Sequence, residues 1–230
     1  MCKPLERVSV ETKILKRNDD YARENRANFI NSGTVVVNIM SAPGAGKTSM
    51  LEKILPALKK EMDVAVIEGD LYTALDAERI EATGVRAYQI TTGTCCHLDA
   101  KMIGAALEKF SLEGAEALII ENIGNLVCPA EFDLGEDLRI MVFSSVEGAE
   151  KPQKYPLMFQ TADAVLLNKS DLIPYSGVSL ETLTANVRKV NPTAPIFAIS
   201  CRTGEGLDAW TDWFVKRMHS LRKREVALCV

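Results

Sequence analysis

The sequence lacks several features that would place a protein outside the ordinary globular class. Its N-terminus has no apolar core of the kind that a secretory signal needs, and no apolar run is long enough to span a bilayer. The net charge is −4, so no excess of positive charge indicates nucleic acid or an anionic membrane as a partner. The apolar share of 47% and the charged share of 25% are ordinary. We therefore expect a cytoplasmic protein that binds neither nucleic acid nor membrane.

Cysteine and histidine are scarce, and their spacing limits what they can do. The chain has six cysteines and two histidines, and it has no C-x-x-C pair, so the spacing of a zinc ribbon is absent. In a cytosolic chain such cysteines are more often free, metal-binding or reactive than disulfide-bonded. We expect Cys201 and Cys229 to be small buried hydrophobic residues, whereas for Cys95 this role and metal binding both stay open.

The pattern of apolar runs predicts one α/β domain with a helical extension before it. Short runs rich in Val, Ile and Leu alternate with helical segments from residue 34 onward, and no repeat or low-complexity linker interrupts them. This alternation is typical of a mostly parallel, doubly wound sheet of about seven strands with helices on both faces. We therefore divide the chain into an N-terminal helical extension, residues 1–33, and a domain, residues 34–230. The predicted strands are Val35–Met40, Val64–Glu68, Val85–Ile90, Ala117–Glu121, Leu138–Phe143, Ala164–Asn168 and Ile196–Ser200, and the predicted helices are Val10–Ile30, Thr48–Lys60, Ala74–Glu81, Leu98–Phe110, Leu180–Val190 and Leu207–Arg224.

The first strand leads into a segment typical of a phosphate-binding loop, the P-loop. Small residues let backbone N–H groups close around phosphate oxygens, and the following helix adds its partial positive charge. Lys47 would reach the β- and γ-phosphates, and Thr48 would offer its hydroxyl to Mg²⁺. Ser41 stands where the strict pattern has Gly. The predicted nucleotide contacts in this loop are Pro43, Gly44, Ala45, Gly46, Lys47, Thr48 and Ser49.

Two later strand ends carry the pattern of a guanine site. The carboxylate of Asp171 can accept both hydrogen bonds from guanine N1–H and the 2-amino group, a donor pair that adenine lacks. Taken alone, Asn-Lys-x-Asp is a weak pattern, because Asn and Asp are common turn formers. After a P-loop and at a later strand end, it indicates a GTPase. The predicted base contacts are Asn168, Lys169 and Asp171 together with Ser200, Cys201 and Arg202 of the last loop.

Acidic residues at two further strand ends are candidates for Mg²⁺ binding and hydrolysis. Glu121 occupies the place where GTPases usually carry Asp in Asp-x-x-Gly, and Gly124 can offer its N–H to a γ-phosphate. For Asp76, a helix-start acid is an alternative to a catalytic role. Asn125 stands where Ras-like enzymes have a water-positioning Gln, so we expect slow hydrolysis. The predicted catalytic residues are Lys47, Asp70, Asp76 and Glu121, and the predicted Mg²⁺ ligands are Thr48, Asp70 and Glu121.

A second site is predicted from Cys96, His97 and Cys128. Both loops that carry these residues should reach the edge of the sheet beside the phosphate site, and Cys96 and His97 precede a predicted helix whose N-terminus would lower the pKa of a thiol. Thiolate and imidazole together suit Zn²⁺ and Ni²⁺. Three ligands leave the coordination sphere incomplete, so a second chain, a water or a partner protein would complete it.

With these residues in view, the chain resembles the HypB family, which belongs to the SIMIBI class of P-loop GTPases. The resemblance is carried by Glu68–Ile80, Cys96–Asp99 and Glu121–Pro129. It implies a GTP-dependent homodimer that assists nickel insertion into [NiFe]-hydrogenase, with Cys96, His97 and Cys128 near the dimer interface. It also implies a HypA-like accessory protein and the hydrogenase large subunit as partners. Some members carry an N-terminal C-x-x-C-G-C motif or a His-rich stretch, but this chain has only Cys2 there.

Three alternatives stay open at this point. The UreG family of urease maturation shares the P-loop and Asn-Lys-x-Asp pattern but lacks the run that ends at Cys128. A regulatory GTPase with structural cysteines would need no metal, and an ATP-dependent small-molecule kinase would show no guanine preference. The short distance in sequence from Gly124 to Cys128 also suggests a hypothesis, in which GTP and GDP states differ in metal affinity.

Overall fold

Seven strands form one sheet in a computed structural model that describes residues 10–228, with side chains described over residues 13–223. The strand order is β3-β2-β4-β1-β5-β6-β7, and every neighbouring pair is parallel. The predicted sheet is thus confirmed, and it is entirely rather than mostly parallel. The expectations for Cys2 and Cys229 lie outside the described residues. The strands are β1 Val35–Ser41, β2 Val64–Asp70, β3 Arg86–Thr91, β4 Ala117–Glu121, β5 Leu138–Ser144, β6 Ala164–Asn168 and β7 Ile196–Ala198.

Ten α-helices surround the sheet over the described residues. The six longer ones match the predicted helices to within a few residues at each end. Four helices of only four or five residues were not predicted, because so short a segment contains too few turns to show a periodic pattern. The helices are α1 Val10–Ser32, α2 Lys47–Leu58, α3 Leu75–Glu81, α4 Ala100–Leu107, α5 Cys128–Glu131, α6 Lys151–Lys154, α7 Pro156–Gln160, α8 Ile173–Ser176, α9 Leu180–Val190 and α10 Leu207–Leu228, and Ser170–Leu172 forms a 3₁₀ turn.

The central strands are apolar along their whole length because helices cover both faces of the sheet. Every residue of β1 and β4 is buried. Successive side chains of a strand point to opposite faces, and β1 shows this directly. Val35 and Val37 pack in one core cluster with Trp210 and Phe214 of α10, whereas Val36 packs with Phe29 of α1 in another. The near-continuous Val and Ile runs follow from this double cover.

Helix α1 is held against the domain by buried polar contacts as well as by Phe29. The side chain of Asn25 donates to the carbonyls of Ala100 and Leu134 at 2.8 and 3.1 Å, and Asn18 accepts from the amide of Ala100 at 2.9 Å. The predicted N-terminal helix is confirmed, while the division at residue 33 stays a prediction. No helix within residues 10–228 is long and apolar enough to cross a bilayer.

Replacing Phe29 with Ala tests whether α1 belongs to the core of the domain. Phe29 is 2% exposed, so its loss should lower the free energy of unfolding by about 3–5 kcal/mol in urea denaturation. The neighbouring Ile30 is 37% exposed, and Ile30→Ala is the matched control, with an expected effect of about 1 kcal/mol or less. Equal effects of the two substitutions would show that α1 is a loosely attached extension.

Candidate nucleotide and metal site

The turn from β1 to α2 has the backbone that a P-loop requires. Gly44 and Gly46 have φ angles of +72° and +101°, in the left-handed region that favours glycine. A Cβ atom on Gly46 would lie 2.4 Å from Nδ2 of Asn168, so no larger residue fits there. Lys47 donates from Nζ to Oγ of Ser41 at 3.1 Å. Ser41, which departs from the strict pattern, therefore holds the lysine of the loop.

The loop after β6 is bonded directly to the P-loop. The amide of Asn168 donates to the carbonyl of Ala45 at 2.8 Å, and Nζ of Lys169 donates to the carbonyl of Gly44 at 2.7 Å. The side-chain oxygen of Asn168 accepts from the backbone amide of Cys201 at 3.3 Å. Asn168 therefore joins the three predicted loops of the nucleotide site. Lys169 takes a left-handed φ of +61°, which lets the chain turn sharply at the end of β6.

Asp171 faces a cleft of about 360 Å³ between these loops. Its Oδ1 accepts from the buried hydroxyl of Ser200 at 2.5 Å, and its Oδ2 accepts from Nε of Arg202 at 2.8 Å. These two hydrogen bonds hold the pKa of Asp171 below its usual value, so the carboxylate is ionised. Arg202 is exposed and can move aside for a base. The cleft is lined by Gly46, Ser49, Glu52, Lys53, Asn168, Lys169, Asp171, Leu172, Cys201 and Arg202, of which Glu52, Lys53 and Leu172 carried no motif in the sequence.

Four carboxyl groups gather at the ends of β2 and β4. Ligand oxygens of Glu68, Asp70 and Asp76 lie within 4.8 Å of one another. Glu121 is the register partner of Glu68 on the adjacent strand, and its Oε1 accepts from the hydroxyl of Thr48 at 2.7 Å. The structure thus brings Thr48 and Glu121 together as predicted, and it places Asp70 beside Asp76. Sequence analysis did not assign Glu68 to the site, because the contact depends on the register between β2 and β4.

Two of these carboxyl groups have oxygens without any hydrogen-bond partner among residues 13–223. Oε2 of Glu68 and Oε2 of Glu121 are both buried, and each side chain belongs to a residue that is only 2% exposed. Burial and the charges of Glu121, Asp70 and Asp76 raise the pKa of Glu68 to about 8, and burial also raises the pKa of Glu121. Hard oxygen donors are what Mg²⁺ prefers. The residues present therefore fit a divalent cation.

Asp70 and Asp76 are each held by bonds within the chain. Burial would raise the pKa of Asp70, but hydrogen bonds from the amides of Thr73 and Tyr72 outweigh it and lower the pKa. Asp76 pairs with Arg79 at 2.7 Å. Arg79 also pairs with Glu52 of α2 at 2.6 Å and donates to Oγ of Ser49 at 3.2 Å.

Arg79 is a site residue that sequence analysis missed. It joins α3 to the first turns of the P-loop helix, and this contact depends on the packing of two separate helices. Asp76 lies in the first turn of α3, as the helix-start alternative has it, and it also belongs to an ion-pair network beside the P-loop.

Gly124 lies directly against the P-loop backbone. A Cβ atom on Gly124 would be 2.7 Å from Cα of Pro43, so the close approach requires glycine. The amide of Asn125 donates to the carbonyl of Ser41 at 2.8 Å. The loop that follows β4, and that leads to Cys128, is therefore in contact with the nucleotide loop.

Cys96, His97 and Cys128 come together as the sequence pattern indicates. Their ligand atoms lie within 4.8 Å of one another, and the two Sγ atoms are 3.3 Å apart. The ring of His97 packs on Phe132 with centroids 4.0 Å apart. Burial lowers the pKa of His97, which favours the neutral imidazole that binds metals, and burial raises the pKa of Cys128, as does the Cys96 thiol. Cys95 is exposed and lies outside this group.

The structure revises two expectations about the cysteines. Cys96 was expected at a helix N-terminus, but α4 begins at Ala100, and Asp99 caps it by accepting from the amide of Met102 at 2.7 Å. Cys201 packs against the core cluster that contains Trp210 and Phe214, but it is only half-buried and also lines the base cleft, so its expected burial is confirmed in part.

The loops after β1, β4, β6 and β7 converge at one edge of a parallel sheet, and together with the fold they define a P-loop nucleotide-binding protein. Residues 35–198 match the family model described as "CobW/HypB/UreG, nucleotide-binding domain". The chain belongs to this family and, by the relatives that follow, to its HypB branch. The predicted resemblance and the P-loop class are thereby confirmed.

Three relatives illustrate the similarity. The hydrogenase maturation factor HypB of Rhizobium leguminosarum bv. viciae is 49% identical over 206 residues, which cover 90% of this chain and 69% of that protein. The hydrogenase/urease maturation factor HypB of Helicobacter hepaticus is 41% identical over 214 residues, covering 91% and 88%. The crystal structure of HypB from Helicobacter pylori in complex with nickel has a TM-score of 0.83 at 39% identity, covering 90% and 97%.

The buried acid Glu68 makes stability depend on pH. Its folded pKa of about 8 exceeds the ordinary 4.5, so the native state keeps a proton that the unfolded chain has lost. Stability of the nucleotide-free protein should therefore fall as pH rises from about 4.5 to about 8. The side chain of the Glu68→Gln variant cannot ionise. The free energy of unfolding of this variant, measured by urea denaturation with EDTA, should therefore rise relative to that of wild type over this pH range. Glu61→Gln, which changes an exposed glutamate, is the control. If the free energies of unfolding of Glu68→Gln and wild type change with pH in parallel, the raised pKa of Glu68 is contradicted.

Proposed function

We propose that this chain is a GTP-hydrolysing nickel metallochaperone that assists nickel insertion into [NiFe]-hydrogenase. The observation that carries the proposal is the position of Cys96, His97 and Cys128 at the sheet edge that also holds the nucleotide loops. Thiolate and imidazole are ligands that suit nickel and zinc. A structural relative has been solved with nickel, which supports nickel as the cargo.

The base cleft supports GTP rather than ATP as the nucleotide. An ionised Asp171 offers two acceptor oxygens, and guanine presents two matching donors on one edge. Adenine lacks this donor pair and would form no hydrogen bonds with the carboxylate, so it would forgo about 1.5–3 kcal/mol per charge-assisted hydrogen bond. Ser200, Cys201 and Arg202 surround this carboxylate, and Asn168 and Lys169 connect it to the P-loop.

The phosphate end of the site supports slow hydrolysis. Lys47 would bind the β- and γ-phosphates, and the backbone of Pro43–Ser49 would surround them. Thr48, Glu121 and Asp70 would hold Mg²⁺, which would supply positive charge beside the phosphates. Asp70, Asp76 and Glu121 are proposed to orient the attacking water or the cation. Asn125 offers no replacement for a water-positioning Gln, so a low intrinsic rate is expected.

A continuous set of contacts supports coupling between nucleotide and metal. Gly124 touches Pro43, and Cys128 begins α5 four residues later. On the other metal-binding loop, the amide of Leu98 donates to Oδ1 of Asn122 at 3.1 Å. Because Asn122 anchors that loop to the base of the β4 loop, a shift of the far end on binding a γ-phosphate would move Cys128 relative to Cys96 and His97. By linkage, metal and nucleotide would change each other's affinity by the same factor.

The proposed partners follow from the incomplete metal site and from the family. Val127, beside Cys128, is 51% exposed, so the loop that carries Cys128 is accessible to another protein. We propose a GTP-dependent homodimer, a HypA-like accessory protein and the hydrogenase large subunit as partners, in the cytoplasm. Zinc is a second possible metal. The Helicobacter hepaticus relative is named for both hydrogenase and urease maturation, so urease is a second candidate recipient.

Asp171→Asn tests the guanine site. The variant should bind GTP roughly 10- to 100-fold more weakly in a fluorescent-nucleotide competition assay, since it loses an ionised acceptor. It should also gain affinity for XTP, whose C2 carbonyl accepts from the new amide, and this gain shows that the variant is folded. Unchanged GTP binding, or equal binding of ATP and GTP by wild type, would favour a kinase on the same fold.

A nickel titration tests the coupling. Ni²⁺ affinity is measured by calorimetry on protein loaded with GDP and on protein loaded with a non-hydrolysable GTP analogue, and the two affinities should differ. Cys96→Ala should lose binding in both states, while Cys95→Ala, its matched neighbour outside the cluster, should keep it. Equal affinity in the two states would disprove the coupling. No binding at all would favour a regulatory GTPase with structural cysteines.

A further inference from the structure

Two buried asparagines lie on the side of helix α1 that faces the domain. Asn18 and Asn25 are 5% and 4% exposed, and Ala22 between them is fully buried. Residues at positions i, i+4 and i+7 form one stripe along a helix, and this stripe is ordinarily apolar when it faces a core. A buried amide group is costly unless it is hydrogen-bonded. The two asparagines therefore need hydrogen-bond partners in the domain.

Each of these asparagines bonds two separate segments of the chain. The side chain of Asn18 accepts from the amide of Ala100 at 2.9 Å and donates to the carbonyl of Asp133 at 2.8 Å. The side chain of Asn25 donates to the carbonyl of Ala100 at 2.8 Å and to that of Leu134 at 3.1 Å. Helix α1 thus connects the start of α4 with the segment after α5 at two points.

The segment after α5 also packs closely on α1. Nη2 of Arg26 donates to both carboxylate oxygens of Asp133, at 2.9 and 3.1 Å. Gly135 has a φ of +94°, and a Cβ atom there would lie 2.9 Å from the carbonyl oxygen of Ala22. This close approach requires glycine, so the position of the segment is set by the backbone of α1 as well as by side chains.

The two connected segments continue directly from the residues of the metal site. Ala100 comes three residues after His97, and Asp133 comes five residues after Cys128. Phe132, which directly precedes Asp133, packs its ring on that of His97 with centroids 4.0 Å apart. A movement of Asp133 away from Ala100 would therefore separate Phe132 from His97.

The segment that carries Cys128 is held on both sides of the thiol. Before Cys128, the side chain of Asn122 accepts from the amide of Leu98 at 3.1 Å. After Cys128, the asparagines of α1 connect Asp133 and Leu134 to the start of α4. The first of these connections lies within the domain, and the second depends on α1.

We propose that helix α1 positions the metal ligands, because Asn18 and Asn25 fix the distance between the two segments that carry them. This inference rests on the metal site of the proposed function and deepens it by giving the N-terminal helix a role there. The three donors come from two loops, and a metal needs them at fixed distances. Groups that orient metal ligands without touching the metal contribute strongly to metal affinity.

The test compares Asn18→Ala with Asn191→Ala, each in the whole chain loaded with GDP. Asn191 is the matched control, because it is also a buried asparagine that donates to two backbone carbonyls, those of Phe159 and Ala162 at 2.7 and 2.8 Å. Neither carbonyl belongs to a segment of the metal site. Ni²⁺ affinity is measured by calorimetry, and Co²⁺ absorption reports the geometry of the ligands.

Asn18→Ala should weaken Ni²⁺ binding roughly 10-fold, at the lower end of the range for a lost supporting group, because it acts through the backbone. It should also shift the Co²⁺ d–d bands while keeping the thiolate charge-transfer band and the affinity for GDP. Asn25→Ala, which removes the other two bonds, should have the same effects and serves if Asn18→Ala does not fold. Asn191→Ala should change neither Ni²⁺ affinity nor the Co²⁺ spectrum.

Thermal unfolding distinguishes support of the metal site from a general loss of stability. All three variants should unfold at a lower temperature than wild type, because each leaves buried backbone groups without a partner. Wild-type Ni²⁺ affinity and Co²⁺ spectra in Asn18→Ala and Asn25→Ala would overturn the role of α1, and so would equal weakening in Asn191→Ala. Retained Ni²⁺ binding in Cys96→Ala would instead overturn the metal site of the proposed function.

Discussion

The parallel alignment of all seven strands is the constraint on which the site depends. Parallel strands bring their carboxyl ends to one edge, and each of β1, β4, β6 and β7 ends there in a loop that carries polar residues. Asn168 turns this arrangement into a fixed unit, because its amide group bonds Ala45 of the P-loop and the amide of Cys201 at once. The absence of a side chain at Gly46 makes room for Asn168. Nucleotide and base loops are therefore positioned together.

At the ends of β2 and β4, carboxyl groups outnumber the positively charged side chains beside them when no ligand is bound. Glu68, Asp70, Asp76 and Glu121 place four carboxyl groups around Lys47 and Arg79, and two of their buried oxygens have no partner within the described part of the chain. Such crowding is costly unless a proton or a cation compensates it. The raised pKa of Glu68 is the response of the ligand-free protein. A nucleotide–cation complex would replace that proton with the charge of a metal ion. The crowded carboxyl groups therefore suit a bound cation, and they lower the stability of the protein without one.

The fold was largely predictable from sequence because its signals are local. Buried parallel strands appear in the sequence as runs of apolar residues. The P-loop and the Asn-Lys-x-Asp pattern each lie within a few consecutive residues, so both can be recognised without knowing the fold. The four short helices contain too few residues to show helical periodicity in the sequence. The sequence showed Ser41 only as a departure from the P-loop pattern, and its hydrogen bond with Lys47 became visible in the structure. Glu68 and Arg79 were missed because their partners come from other elements. Glu68 lies beside Glu121 because of the register between β2 and β4. The ion pair of Arg79 with Glu52 exists because α3 packs against α2.

The short loop between Gly124 and Cys128 explains why one edge can serve two ligands. Gly124 has no room to move toward Pro43, because even a Cβ atom would clash with the backbone. The β4 loop and the P-loop therefore pack in direct backbone contact, and we propose that a γ-phosphate bound beside the P-loop shifts the β4 loop. Asn122, at the base of this loop, bonds the amide of Leu98 and is itself bonded to Asn38 within the core. The base is held while the far end is exposed at Val127. Under the proposed coupling, a shift of this loop would therefore move Cys128, the proposed metal ligand on this loop.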